Sequence, residues 1–174
     1  ADILARFPDQ LHNMGLLRRE SIRALLTEAG DNPALAESAF EMFHAERQRV
    51  QFFDDALPAL ERLSQRWPLV AVSNGTADLV QTGLSAYFVA GVSAHSFGVA
   101  KPDPLIFEEA ARLAGVELSQ VLHVGDDAEL DGKGALQSGM QAAWINRFDH
   151  PWTHTEAPHV EVKELLALCD ALGV

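Results

Sequence analysis

The sequence predicts an α/β protein: a parallel sheet flanked by helices and preceded by an all-helical segment. Three observations carry that expectation. From about residue 53 onward, short apolar runs alternate with helical stretches, the pattern left by a parallel sheet and its crossover helices. Residues 1 to about 50 keep helical spacing and show no strand signal. Two polar loops, Ser73-Asn74-Gly75-Thr76 and Gly125-Asp126-Asp127, each follow an apolar run directly. Both loops therefore open at the carboxyl edge of the sheet, where open parallel sheets hold their ligands.

Pro8 breaks or begins a helix near the start. Over residues 16–26, Ile22, Leu25 and Leu26 share one helical face, with Arg18, Arg19 and Arg23 on the other. Gly30 stops that helix, and Asp31-Asn32-Pro33 starts the next with the proline in its first turn. This second helix runs to about Val50, with Leu35, Phe40 and Phe43 as its apolar contacts. So short a helical segment cannot build a core alone, so residues 1–50 read as a cap packed on a core of residues 51–174. In that core a helix spans roughly 55–66, Leu69 to Val72 is a strand, and a helix follows the Ser73 turn to about Leu84. Val89 to Val92 is a weaker strand, and a helix runs from Pro104 to about Ala114. Val121 to Val124 and Ala142 to Ile145 are buried strands, separated by a helix that ends near Gly139. A polar loop over 150–159 leads to a closing helix from Glu161 to Ala171.

Composition bounds the partners. Hydrophobic residues make up 48% of the 174, enough for a packed core, and the formal net charge is −12. Such an acidic surface argues against nucleic acid or an anionic membrane as the main partner. It leaves room for a small anionic substrate at a locally positive site. Cys169 is the only cysteine, so no internal disulfide forms, and a reducing, cytoplasmic setting is expected. No apolar run approaches the ~20 residues that span a bilayer. Arg6, Pro8 and Asp9 interrupt any signal-peptide core. No repeat or low-complexity tract stands out, and nothing in the sequence speaks to oligomeric state.

The chemistry concentrates in three loops. Asp126, Asp127 and Asp131 crowd the end of one strand and the start of the next helix. Three carboxylates so close repel one another, and a hard cation such as Mg²⁺ relieves that repulsion with oxygen ligands. The plainer reading is an acidic helix start, with Asp as its N-cap. Ser73-Asn74-Gly75-Thr76 offers hydroxyl, amide and backbone N–H groups suited to a phosphate, or it is an ordinary capping turn. Lys101 precedes two prolines that bracket Asp103; a lysine on so stiff a loop reaches a phosphate or carboxylate, or else it is a solvated surface residue. His150, His154 and His159 invite zinc, but Pro151 and Pro158 break their spacing and no cysteine assists. Trp67, Trp144 and Trp152 read as core or interface rather than as flavin-stacking residues.

Taken together, the Ser73 loop, Lys101-Pro102-Asp103-Pro104 and Gly125-Asp126-Asp127 followed by Asp131 resemble motifs two, three and four of the haloacid dehalogenase-like hydrolase superfamily, over about residues 50–148. Residues 66–75, 121–127 and 138–145 are similar to its bacterial flavin mononucleotide (FMN) phosphatase branch. The resemblance implies a Rossmann-like parallel sheet with a helical cap. It also implies a Mg²⁺-dependent phosphatase acting on a small phosphorylated metabolite, such as FMN or a sugar or ribityl phosphate. By that resemblance Ser73 hydrogen-bonds the phosphoryl oxygens with Asn74 nearby, and Lys101 stabilises the developing charge. Asp126 ligates Mg²⁺ with Asp127 beside it, and Asp131 supports the metal site or orients Lys101. The implied reaction passes through an aspartyl-phosphate that water hydrolyses.

One departure from the family pattern stands out. The family's nucleophile and general acid/base are aspartates two apart on a first core strand, which lies between the motif-two and motif-four strands. Residues 1–10 contain Asp2 and Asp9 but no strand of that kind, so the resemblance implies that the chain is part of a longer protein. Two alternatives follow. The dehalogenases of the superfamily share Ser-Asn-Gly but use no metal and lack the first motif-four acid, a position Asp126 fills here. A chain without its nucleophile is also readable as an inactive module that holds phosphate or Mg²⁺.

Overall fold

The computed structural model describes residues 2–174. The chain opens with α1 (Ile3–Arg6), then pairs α2 (Met14–Ala29) with α3 (Leu35–Arg47) as a hairpin. Asn13 caps α2 through the N–H of Leu16, and Gly30, at φ 78°, ends it. Arg19 and Arg23 of α2 both reach Glu37 of α3, at 3.2 and 2.7 Å, and so tie the hairpin together. Asp2 caps α1 and Asp9 lies in a 3₁₀ turn, so neither aspartate stands on a strand.

After α4 (Ala56–Ser64), β1 (Val70–Ser73) pairs in parallel with β2 (Ala90–Ser93). Next come α5 (Ala94–Phe97), α6 (Pro104–Ala114) and β3 (Leu122–Gly125), then a π-helical segment (Ala128–Lys133) that runs into α7 (Gly134–Gln137). β4 (Gln141–Ile145) pairs in parallel with both β3 and β5 (Val160–Val162), and α8 (Leu165–Leu172) closes the chain. The strands thus form two parallel sheets, β1-β2 and β3-β4-β5, rather than one. Among the described residues no strand joins β1 to β3.

β4 explains why apolar runs read as buried strands. Ala142 faces a cluster with Ile106, Phe107 and Ala111 of α6 and Leu136 of α7. Ala143 and Ile145 face Leu168 of α8 on the other side. A strand covered on both faces has no solvent side to make polar, which is why it does not alternate. Asp55 joins three elements from the side: its Oδ2 accepts from Arg147, just beyond β4, and from the N–H of Leu165 at the start of α8. No helix among the described residues is long and apolar enough to cross a membrane.

Three expectations are corrected. The helix expected after the Ser73 turn does not form. Instead Asp78 Oδ1 takes the N–H groups of Val80 and Gln81, Gly83 adopts φ 78°, and the chain turns into a short 3₁₀ segment at Ser85–Tyr87. The closing helix begins at Leu165 rather than Glu161, because Val160–Val162 is drawn against β4 as a strand. The helix that carries Asp131 opens with the wider π winding, not a regular α turn.

Candidate functional site

The ends of β1 and β3 meet through one lysine. Lys101 Nζ donates to the Val72 carbonyl at 3.2 Å and to Asp131 Oδ1 at 2.6 Å, so its ammonium links the rims of both sheets. Its side chain is mostly enclosed, at 12% exposure. Asn74 sets the lysine's backbone with two hydrogen bonds. Its Nδ2 donates to the Lys101 carbonyl at 2.9 Å, and its Oδ1 accepts the Lys101 N–H at 2.8 Å. The amide therefore holds Lys101 in place and leaves Ser73 as the nearer polar side chain of that turn. The Ser73 hydroxyl accepts the Gly75 N–H at 2.9 Å and tightens the turn at the strand's end.

Asp131 is fully engaged. Oδ1 also accepts from His123 Nε2 at 3.0 Å, and Oδ2 accepts the N–H of Asp127 at 3.2 Å. Burial pushes its carboxyl pKa up, but the hydrogen bond from His123 and the charge of Lys101 outweigh it and bring the value down to about 2. An ionised Asp131 is only an acceptor, so His123 carries its proton on Nε2. Gly125 makes the approach sterically feasible: a Cβ there would overlap the Asp131 carboxyl. His123, which alternates with apolar residues along β3, carries no local signal of a place beside Asp131. Its ring packs edge-on to Phe107 at 5.0 Å, and a histidine on a buried strand reads as core until its partner is seen.

Asp126 and Asp127 separate in role. Asp127 Oδ1 accepts the N–H groups of Glu129 and Leu130, which is the work of an N-cap. Asp126 is exposed, and its carboxylate has no hydrogen-bond or ion-pair partner among the described residues. Its backbone is fixed, because Trp144 Nε1 donates to the Asp126 carbonyl at 2.9 Å. Trp144 thus serves the core and the site at once, a role its sequence context did not signal. Among the described residues no three His, Cys, Asp or Glu side chains are grouped to hold a metal. A hydrated Mg²⁺ needs only one or two protein carboxylates beside waters and substrate oxygens, so Asp126 suits that ion as one part of its shell.

The family described as haloacid dehalogenase-like hydrolase matches residues 4–139. The chain is 33% identical over 169 residues to the 5-amino-6-(5-phospho-D-ribitylamino)uracil phosphatase of Escherichia coli, covering 92% of this chain and 71% of that protein. It is 31% identical over 157 residues to the phosphoserine phosphatase of Thermus thermophilus, covering 87% of this chain but 63% of that protein. Among solved structures, a 2-haloacid dehalogenase from Pseudomonas syringae superposes with a TM-score of 0.88 at 36% identity, over 98% of this chain and 76% of that one. Among the described residues no two aspartates stand two positions apart.

Proposed function

The chain belongs to the haloacid dehalogenase-like hydrolase family, and from that premise we propose that it is the phosphate-handling part of a Mg²⁺-dependent phosphomonoesterase acting on a small phosphorylated metabolite. The observation that supports this most is the Lys101 ammonium fixed between Val72 and Asp131, whose other oxygen accepts from Asp127 in the loop that also carries the unpartnered carboxylate of Asp126. A positive group held rigidly at the strand ends, on the rim that also carries a metal-ready acid, is what a phosphoryl group gathering charge requires. In this reading Lys101 draws the phosphoryl oxygens and the Ser73 loop donates hydrogen bonds to them. Asp131 aims the lysine, and His123 holds Asp131 in place. Asp126 would hold Mg²⁺, which supplies charge neutralisation for the same oxygens. Asn74 acts on Lys101, and Asp127 holds the helix start. Residues 1–50 act as a cap over the core of residues 51–174. By likeness to the ribityl-phosphate relative, the substrate belongs with FMN and other ribityl or sugar phosphates.

A dehalogenase reading has its own support in the 36% identity to the Pseudomonas syringae enzyme. Supplying the whole protein with p-nitrophenyl phosphate and with 2-chloropropionate separates the two. Phosphate release with no chloride release is expected; chloride release alone would transfer the chain to the dehalogenases.

A further inference from the structure

The polar loop over residues 150–159 has no part in the chemistry described so far. Its three histidines go to different partners. The His150 backbone N–H donates to Asn146 Oδ1 at 2.8 Å, His154 Nε2 stands 3.6 Å from Glu129, and His159 Nδ1 accepts the Ala142 N–H at 3.3 Å. What the loop delivers is Trp152. Its ring centre lies 5.1 Å from that of Trp144 and 5.0 Å from that of His154. It also presses on the π-helical segment: a Cβ at Gly132 would stand 2.6 Å from the Trp152 ring, so any side chain there would displace the indole. The Trp152 indole N–H donates to the Glu156 carbonyl at 3.0 Å and fastens the loop on itself.

These contacts meet at one peptide group, the one that joins Asp126 to Asp127. Its carbonyl accepts from Trp144 Nε1 at 2.9 Å, and its N–H donates to Asp131 Oδ2 at 3.2 Å. The peptide is held at both ends and cannot turn without breaking a hydrogen bond. Both holders lean on Trp152, Trp144 by ring contact and Asp131 through its neighbour Gly132. The orientation of that peptide sets the direction in which Asp126 projects its exposed carboxylate.

We infer that Trp144 and Trp152 are positioning residues for a divalent cation: by locking the Asp126–Asp127 peptide they aim the Asp126 carboxylate in advance and set how tightly the ion binds. The inference rests on the reading that Asp126 holds Mg²⁺. A carboxylate aimed beforehand has less freedom to lose when the ion arrives, and the partners behind a metal ligand are typically worth roughly 10–100-fold in affinity.

The test titrates Mg²⁺ into the whole protein by calorimetry, without substrate, so that it requires no turnover. Trp144→Phe keeps a buried ring and removes the N–H; Trp152→Leu opens space beside Gly132. Each should weaken Mg²⁺ binding by about tenfold or more. Ile106→Val, in the buried cluster against which Trp152 packs, should bind Mg²⁺ as the parent does, which separates aiming from a general loss of packing. Asp126→Asn should remove the binding. Circular dichroism checks each fold, and if Trp144→Phe does not fold, Trp152→Leu decides alone. Binding that is lost in Asp126→Asn but stays parent-like in either folded tryptophan variant, or that weakens equally in Ile106→Val, overturns the inference and leaves the metal reading standing. Binding that survives Asp126→Asn overturns the metal reading, and the inference with it.

Discussion

At Gly125 one methyl group is enough to disturb the site. It would overlap the Asp131 carboxyl, which holds Lys101 and His123. Gly125→Ala should therefore cost about 1–3 kcal/mol of stability, the usual penalty for forcing extra volume into a packed site, and should depress turnover. Thermal unfolding alongside a phosphatase assay reads both effects. Lys101→Ala removes the ammonium that joins the two rims and should lower kcat by roughly 10²–10³-fold, as loss of one charge-stabilising donor does. Asn74→Ala should lower kcat as well, through a lysine no longer held by its backbone. Its KM should change less than in a Ser73→Ala variant, because Asn74 spends both ends of its amide on Lys101. The carboxylates and the lysine were legible in the sequence because their spacing and neighbouring Gly and Pro residues point to loops at strand ends. Asn74, His123 and Trp144 took their roles from partners 27, 8 and 18 residues away, and residue type and local spacing carry no trace of such pairings.

Among the elements, α8 and α4 are fastened to the end of β4 by Asp55. Burial raises the Asp55 carboxyl pKa, but the Arg147 guanidinium and the Leu165 N–H prevail and hold it below the usual carboxylate value. A group depressed in this way adds stability that is fully present above its unfolded pKa and is lost as the pH falls through the folded one. The melting temperature should therefore drop between pH ~5 and ~3. Asp55→Asn should lower it at neutral pH by the equivalent of about 3 kcal/mol, as breaking a buried pair does, and should flatten the acid decline. Thermal melts over that pH range test both statements. The buried strands and α6, with Asp103 capping it and Pro104 in its first turn, follow from local pattern. β5 does not, because three residues are too few for a period to register. The turns over residues 77–84 were also hidden. They depend on a contact from far away: Gln48 Oε1 accepts the Asp78 N–H at 2.8 Å, and Gln48 Nε2 donates to the Thr76 carbonyl at 3.0 Å.

That glutamine matters most at the scale of the whole molecule. Gln48 is buried just past the end of α3, so the hairpin and the Ser73 loop are joined by one side chain. Gln48→Ala should leave the Asp78 N–H and the Thr76 carbonyl unpaired at a cost of about 1–3 kcal/mol. It should also raise KM, because the loop and the hairpin no longer move together. Steady-state kinetics and melts on one preparation check this. Lys101 plays the same part between the two sheets, which contact at their carboxyl rims through its ammonium. The α/β class and the placing of the polar loops at one edge were legible from the alternation of helices and apolar runs. The division into two sheets matches the absence, among the described residues, of a strand between the motif-two and motif-four strands; the alternation alone does not show it, because strand pairing depends on which strands lie side by side. The most direct test of the proposed site is inorganic phosphate release from a phosphomonoester by the whole protein, with and without chelator and Mg²⁺, for the parent and Lys101→Ala. Release that stops with EDTA, returns with Mg²⁺ and falls at least a hundredfold in the variant is expected; release indifferent both to Mg²⁺ and to Lys101 would contradict it.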